Sequence, residues 1–290
     1  MKRTRLITAW FAILLLTVFV PPGVPSPREE VKRAVPQRII SLGPTITEAL
    51  FLLGAENRIV GVTTYCQKLP RAKEKERVGT ILETDVEKII RMKPDLVLGT
   101  SLTSVKDIGK LKNFGINVAV FDVSKNFDQL CRIFLNIGKL VGEETKARNL
   151  IADSRKRLAS MQKTVAGLKK KRVFVQLGAK PLFAATKDYF VNDLIEFAGG
   201  TNICSDLSSG LASREEVVRR NPDVIIIATM GIAGEKERES WQRYKTVNAV
   251  KEGRIYLVDS DRICALTPVS FIDALGEFVN ILHGTMKRGW

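Results

Sequence analysis

The chain carries the same short pattern once in each half. Residues 87–100 read EKIIRMKPDLVLGT, and residues 215–229 read EEVVRRNPDVIIIAT. In both segments a Glu stands seven residues before a Pro-Asp pair, and an apolar, β-branched run follows. Two similar half-chains predict two similar lobes, and a cleft between lobes is a common place for small molecules to bind.

A second pair of segments supports this repeat. Residues 48–59 read EALFLLGAENRI, and residues 193–203 read DLIEFAGGTNI. Each predicts a helix that ends at a Gly, where the backbone turns to positive φ.

The N-terminus has the layout of an export signal. Lys2, Arg3 and Arg5 precede an apolar run over residues 6–20, and a Pro-rich stretch follows it. We assign residues 1–27 to a signal peptide and leader, which places the mature chain in the periplasm or another extracytoplasmic space. The run is short for a membrane span of about 20 residues, so an uncleaved anchor is the alternative.

The four cysteines show no C-x-x-C spacing, which argues against a structural zinc site. Cys131 lies in an apolar helical pattern and is predicted to be in the core. An oxidising compartment permits disulfides. Pairing of Cys204 with Cys264 therefore stays open, as does the state of Cys66.

The net charge is +15, with Lys and Arg spread along the chain and one basic run at residues 169–172. We interpret this charge as a solvated basic surface and predict no nucleic-acid partner. Attraction to an acidic membrane surface or to an anionic ligand remains as an alternative.

Apolar runs alternate with helical patterns along both halves, which predicts mainly parallel sheets covered on both faces. Residues 143–170 contain no Pro and read as one helix of about 40 Å at 1.5 Å per residue. The predicted fold class is α/β, with two Rossmann-like lobes joined by a single long backbone helix. Its boundaries are residues 36–142 for the N-terminal lobe, 143–170 for the connecting helix and 171–290 for the C-terminal lobe.

Local signals add further expectations. Thr84 with Glu87, and Ser213 with Glu216, have the spacing of capping boxes at helix starts. Residues 43–45 are predicted to form a turn, and residues 66–77 a polar loop.

Several motifs, in this order, resemble one family. They are Arg38–Glu48 (RIISLGPTITE), Gly61–Cys66 (GVTTYC), Lys93–Val97 (KPDLV), Lys171–Gly178 (KRVFVQLG) and Ala212–Val217 (ASREEV). The chain is similar over residues 36–283 to the periplasmic binding proteins for vitamin B12 and ferric siderophores, and most of all to the vitamin B12-binding type. These are the helical-backbone receptors of ABC importers.

The resemblance implies that one carboxylate on each lobe docks into Arg residues of a permease. The matching positions are Glu87 and Glu215, and the internal repeat independently places them at equivalent points of two lobes. The local alternative is that Glu87 only completes its capping box.

The resemblance also implies a set of ligand-binding residues in the cleft: Pro44, Thr45, Tyr65, Cys66, Ile81, Thr100, Phe183, Asp261 and Arg262. Tyr65, Phe183 and Asp261 match or lie near ligand contacts of the vitamin B12 binders. Ile81 and Thr100 stand where those proteins carry Trp. Ala265 replaces an Arg that contacts ligand, and Arg262 lies close enough in sequence to substitute for it.

The cargo class stays open at this point. Stacking faces for a flat macrocycle are few, so the candidates are cobalamin or another corrinoid, a haem-like tetrapyrrole, and a ferric siderophore. Cys66 is either a small apolar wall residue or a thiolate ligand to the cargo metal. The single His, His283, is predicted to be a packing or surface residue, and we expect neither a metal site of the protein's own nor a resident cofactor.

The predicted function is therefore a monomeric substrate-binding protein that delivers a small metal-chelate cargo to an ABC permease and its ATPase. An enzyme is not expected, because the chain has no G-x-S-x-G, P-loop or G-x-G-x-x-G motif and no catalytic residues are assigned. A ligand-sensing envelope module without a permease is a further alternative.

Overall fold

A computed structural model describes residues 34–66, 69–228 and 234–284. The predicted signal peptide and leader at residues 1–27 lies outside these residues. Within the described ranges, no helix is both long enough and apolar enough to cross a bilayer.

The strands form two sheets. Their bounds are β1 Ile39–Ser41, β2 Ile59–Val62, β3 Glu76–Arg77, β4 Leu96–Thr100, β5 Val118–Phe121, β6 Lys171–Ala179, β7 Leu182–Ala184, β8 Gly200–Asn202, β9 Val224–Ile227 and β10 Ile255–Leu257.

Helices follow most of the strands. Their bounds are α1 Pro44–Leu53, α2 Pro70–Lys73, α3 Val86–Arg91, α4 Val105–Asn113, α5 Phe127–Leu140, α6 Glu144–Val165, α7 Val191–Phe197, α8 Arg214–Arg220, α9 Gly234–Gln242, α10 Asn248–Lys251 and α11 Pro268–His283. Short 3₁₀ turns lie at Glu56–Arg58 and Ser260–Arg262.

The first sheet has the order β3-β2-β1-β4-β5, and its strands all pair in parallel. The second has the order β10-β9-β6-β7, with β8 also paired to β6. Only the β6–β7 pairing in this second sheet is antiparallel. The predicted α/β fold with mainly parallel sheets is confirmed.

Each sheet is covered on both faces, because alternate strand residues point to opposite sides. In the first sheet Ile39 packs with α1 and α5, whereas Ile40 packs with α3 and α4. In the second sheet Val173 packs with α5, α6, α7 and α11, whereas Phe174 packs with α8 and α9. Helices α5 and α6 thus lie on one side of the two sheets, and α3 and α8 lie on the other.

Helix α6 is the predicted connecting helix, and α5 also packs in both lobes. Leu130 and Cys131, near the start of α5, belong to the core of the C-terminal lobe, while Phe134 and Ile137 belong to that of the N-terminal lobe. Helix α6 runs the opposite way: Ala147 packs in the N-terminal core, and Leu158, Met161 and Val165 pack in the C-terminal one. Its 22 residues span about 33 Å at 1.5 Å per residue, shorter than the predicted helix.

Three local predictions need correction. Helix α3 is capped by Asp85, whose Oδ1 accepts a hydrogen bond from Lys88 N at 2.9 Å, so Thr84 and Glu87 form no capping box. Residues 44–45 are not a turn but the first residues of α1, since Pro is well tolerated where a helix N–H has no partner. The segment 66–77 contains α2 and β3 in addition to loop.

The cysteines are all free thiols, so Cys204 and Cys264 do not pair in the structure. Cys131 is buried in the core, as predicted. Burial raises the pKa of Cys131, Cys204 and Cys264 to about 11 each, which keeps these thiols protonated at neutral pH.

Candidate functional site

The two Pro-Asp pairs of the internal repeat make the same backbone hydrogen bonds in the two lobes. Asp95 Oδ2 accepts from Arg38 N at 2.9 Å, and Asp223 Oδ2 accepts from Arg172 N at 3.0 Å. In return, Asp95 N donates to Arg38 O and Asp223 N donates to Arg172 O. Each Asp therefore fixes the strand that follows it against the first strand of its own lobe.

The Arg side chains repeat as well. The Arg38 guanidinium donates to Met92 O at the end of α3, and the Arg172 guanidinium donates to Arg220 O at the end of α8. The residue before each Pro-Asp pair has a left-handed backbone, with φ 47° at Lys93 and 43° at Asn221. Helices α3 and α8 are thus held in the same way in the two lobes.

Glu87 and Glu215 occupy the same place on these two helices. Each is the second residue of its helix, and each side chain is exposed. Glu87 has an 89% exposed side chain, and its Oε2 lies 3.8 Å from Arg91 Nη1. Both carboxylates are consequently available to a partner on the side of the sheets that carries α3 and α8.

The neighbouring Glu216 has a different role. Ser213 Oγ accepts from Glu216 N at 3.1 Å, so Ser213 is the N-cap of α8 as predicted. The Glu216 carboxylate instead accepts hydrogen bonds from Arg219 and Arg220, which lower its pKa. Glu216 is committed to its own helix, unlike Glu215.

The facing ends of the lobes enclose a small cavity of about 20 Å³. Four predicted ligand residues line it: Pro44, Tyr65 and Cys66 from the N-terminal lobe and Asp261 from the C-terminal lobe. This volume holds about one water molecule, whereas ligand sites measure roughly 300–1,000 Å³. In the structure this cavity is therefore too small to hold a whole small-molecule ligand.

The cavity wall also contains residues that the sequence did not identify as ligand-binding: Thr47, Glu48, Leu69, Ala72 and Ala265. Thr47 and Glu48 lie one turn along α1 from Pro44, so helical periodicity from Pro44 is the signal that identifies them. Thr45 lies in the first turn of α1, next to Pro44, but is not part of the cavity wall.

Cys66 is held within the N-terminal lobe. Its Sγ lies 3.1 Å from Thr47 Oγ1 and 3.3 Å from Thr63 Oγ1, and the residue is 3% exposed. A thiol with two hydroxyl partners and almost no exposure fits the wall interpretation better than the metal-ligand one.

On the opposite wall, the neighbouring residues Asp261 and Arg262 have different surroundings. Asp261 lies in a 3₁₀ turn capped by Asp259, whose Oδ1 accepts from Asp261 N at 2.9 Å. The Arg262 guanidinium lies 3.3 Å from Glu277 Oε2 in helix α11. Its ion pair directs it to α11, and it is absent from the cavity wall.

The remaining predicted residues lie on surrounding loops. Ile81 falls between β3 and α3, and Thr100 ends β4 with its Oγ1 accepting from Leu102 N. Phe183 is 43% exposed on β7, and its ring covers Gly210, where a Cβ would come within 2.2 Å of the ring. The structure thus brings Pro44, Tyr65, Cys66 and Asp261 together but leaves the others out of the cavity wall.

Exposed apolar side chains surround the strand ends and form what we call the apolar rim: Tyr65, Leu82, Leu102, Val105, Phe183 and Leu211. They lie in loops, at strand ends or, for Val105, at the start of α4, and Phe183 pairs with Leu211 through a β-bridge. Exposed apolar groups that lie together are typical of ligand or partner contacts.

Helix α9 is anchored beside the strand ends by a buried polar network. The Glu237 carboxylate accepts from Gln176 Nε2 at 2.8 Å and from Arg214 Nη2. Trp241 Nε1 donates to Gln176 Oε1 at 2.7 Å, and the Arg214 guanidinium lies 4.6 Å from the Trp241 ring centroid. Because Arg214 precedes Glu215, the network also fixes the start of α8.

A polar contact holds the start of α5 against the C-terminal lobe. Asp193 Oδ2, in α7, accepts from Phe127 N at 2.8 Å, and the Phe127 ring lies 4.8 Å from that of Phe271. Burial raises the pKa of Asp193, and the hydrogen bond from Phe127 N only partly offsets this rise. The contact ties the first turn of α5 to the C-terminal lobe.

Among the described residues, no group of three or more His, Cys, Asp and Glu could hold a metal ion. His283 Nε2 lies 2.9 Å from Ala198 O at the far end of the C-terminal lobe. The geometry is that of a binding protein: two α/β lobes, a cleft at their strand ends and a paired set of exposed carboxylates.

Comparisons with known proteins define the class further. The model of the periplasmic binding protein family matches residues 39–262. The chain is 31% identical over 256 residues to YvrC of Bacillus subtilis, an uncharacterised ABC transporter substrate-binding lipoprotein, covering 84% of this chain and 80% of that one.

Two solved structures are also similar. One, from Staphylococcus epidermidis, is described as a possible iron-binding, periplasmic solute-binding protein. It aligns with a TM-score of 0.75 at 29% identity, covering 85% of this chain and 98% of that one. The other is the periplasmic vitamin B12-binding protein BtuF of Vibrio cholerae, with a TM-score of 0.73 at 26% identity, covering 85% and 96%.

The chain belongs to the periplasmic binding protein family, the solute-binding proteins of ABC importers. The resemblance drawn from the sequence motifs is confirmed. The members of this family are substrate-binding proteins and not enzymes.

Proposed function

We propose that this protein is an extracytoplasmic receptor that binds a metal-chelate cargo between its lobes and delivers it to an ABC permease and its ATPase. It acts as a monomer, carries no resident cofactor and catalyses no reaction. The observation that carries this proposal is the equivalence of Glu87 and Glu215. Two exposed carboxylates at the second position of two identically fixed helices suit a partner that contacts both lobes at once.

Each carboxylate would pair with an Arg of the permease through charge-assisted hydrogen bonds. An ion pair at the rim of an interface contributes about 1 kcal/mol or less. Their main effect would therefore be orientation, since two contacts far apart fix how the cleft faces the permease.

The docking role is tested by replacing both residues, Glu87→Ala with Glu215→Ala, in cells that depend on this receptor for uptake. We expect uptake to fall at least tenfold, with cargo affinity unchanged because neither residue lines the cleft. The matched control is Glu74→Ala with Glu252→Ala, which also removes one exposed carboxylate from each lobe. Equal uptake by the two double variants would contradict the docking assignment.

The proposed cargo is a corrinoid or a ferric siderophore. Similarity to a vitamin B12-binding protein and to one described as possibly iron-binding supports this class, and so does an apolar rim around a narrow cleft. The cargo would rest on the rim, where Tyr65 and Phe183 offer aromatic faces, and would direct one small group towards Asp261.

Calorimetric titration tests the cargo class. The protein is titrated separately with cyanocobalamin, with a ferric hydroxamate and with a ferric catecholate. We expect micromolar or tighter binding of one of them, weakened at least tenfold by Tyr65→Ala and unchanged by Phe114→Ala, which alters another exposed aromatic residue. Binding of none of the three at micromolar concentration would rule out the proposed cargo class while leaving the docking test valid.

A further inference from the structure

The positive charge of the protein is concentrated in one part of the fold. Residues 125–172, which comprise α5, α6 and the segment after α6, hold 13 Lys and Arg against 4 Asp and Glu, a net charge of +9. Residues 173–284 hold 12 Lys and Arg against 15 Asp and Glu, a net charge of −3. Lys and Arg occur throughout the chain, but the excess of positive charge over negative charge is greatest in this segment.

Part of this charge is not neutralised locally. Arg148 and Arg155 have ion pairs with Glu144 and Asp128. We define the α5–α6 basic surface as six of the exposed cations of this region for which the described part of the chain shows no ion pair: Arg132, Lys146, Lys156, Lys163, Lys169 and Lys170.

The shape and composition of this surface limit the kinds of partner that can bind to it. Lys146 and Lys163 lie 17 residues apart on one straight helix, about 26 Å. Helix α6 has no aromatic residue, and Phe127 and Phe134 of α5 are buried, so the surface offers no stacking platform for nucleic-acid bases. An extended, non-apolar array of cations fits a broad anionic surface that it touches without insertion.

Val35, near the start of the described residues, lies at the edge of this surface. A Cβ at Gly142, in the turn between α5 and α6, would lie 2.9 Å from Val35 Cγ2.

We propose that the α5–α6 basic surface binds the surface of an anionic phospholipid bilayer. The contact is electrostatic and reversible. It lies on the opposite side of the sheets from Glu87 and Glu215, so the molecule cannot use both surfaces against one membrane at the same time. The bilayer-bound state would hold the receptor near the membrane between rounds of docking, and it is independent of the cargo.

The test measures sedimentation of the full chain with vesicles of phosphatidylglycerol and phosphatidylcholine, and with vesicles of phosphatidylcholine alone. The leader contributes to binding of both kinds of vesicle, so the difference in binding between the two kinds measures the charge-dependent contact. Three Lys of the surface are replaced in one variant, K146Q/K156Q/K163Q. At about 1 kcal/mol per Lys near an anionic surface, we expect the anionic preference to fall about a hundredfold.

The matched control is K106Q/K110Q/K112Q, which removes three exposed Lys from α4, on the side of the sheets that carries α3. We expect this variant to keep the anionic preference of the wild-type chain. We also expect raised salt to abolish the preference, because the Debye length falls from about 8 Å at 0.15 M salt to about 3 Å at 1 M.

Two results would overturn the proposal. The first is an equal loss in the two triple variants, which would mean that only net charge matters. The second is no preference of the wild-type chain for anionic vesicles, including the case in which it binds soluble polyphosphate instead. Thermal unfolding of both variants confirms that they are folded, since all six Lys are exposed.

Discussion

Lys93 and Asn221 occupy the same left-handed backbone position in the two lobes, but only Asn221 uses its side chain there. Asn221 Oδ1 accepts from Asn248 N at 2.8 Å. Lys93 lacks such a compensating contact in the described structure, and left-handed backbone costs a residue with a Cβ about 1 kcal/mol.

The two positions should therefore respond differently to glycine. We expect Lys93→Gly to raise the free energy of unfolding by about 0.5–1 kcal/mol, because Gly adopts positive φ without a steric penalty. Asn221→Gly should give no gain, since the lost hydrogen bond costs about 1 kcal/mol and offsets the relief. Urea denaturation of the two variants decides the matter, and equal shifts would contradict this account.

For single residues, the sequence predicted where a residue lies in the fold better than it predicted which side chain that residue contacts. The repeat located Glu87 and Glu215 correctly, because it depends only on spacing. It did not identify Asp85 as the cap of α3, since Thr84, Asp85 and the residues around them are all plausible caps. Nor could it show that Arg262 turns to Glu277, because that pairing depends on the packing of α11.

Among the elements, α9 depends most on a single side chain. Glu237 is 8% exposed and joins Gln176 to Arg214. Removing one partner of a buried ion pair leaves the other charge without compensation.

We expect Glu237→Ala to lower the free energy of unfolding by about 3 kcal/mol, because the Arg214 guanidinium then loses its carboxylate partner. Glu239→Ala, two residues further on the exposed face of α9, should change it by less than about 0.5 kcal/mol. Chemical denaturation of both variants provides the comparison. A small effect at both positions would mean that water replaces the carboxylate without loss.

The helices and strands themselves were largely predictable from the sequence. The sequence did not show that one helix contributes residues to the cores of both lobes. The apolar spacing of Leu130, Phe134 and Ile137 correctly indicated a helix. Nothing in that periodicity shows that Leu130 belongs to one core and Phe134 to the other, since both are simply apolar positions on one face. The number of helices that join the lobes is set by tertiary packing alone.

For the whole molecule, two joining helices restrict how far the lobes can move. Opening would bend both α5 and α6, and bending an α-helix weakens its i→i−4 hydrogen bonds. A single flexible crossing would not have this effect.

We therefore expect only a small change in the radius of gyration, below about 1 Å, when cargo binds. Small-angle X-ray scattering of the free and the loaded protein measures it. A larger compaction would show that the helices do bend.

The placement of Phe127 also has a consequence for how the chain folds. Its ring packs against Phe271 in α11, the last helix that the structure describes, 144 residues later in the sequence. The core of the C-terminal lobe is not complete until this final helix has been synthesised, because α5 contributes Phe127, Leu130 and Cys131 to that core and α11 supplies their partners. A fold whose closing contact comes last postpones its own completion until almost the whole polypeptide is available.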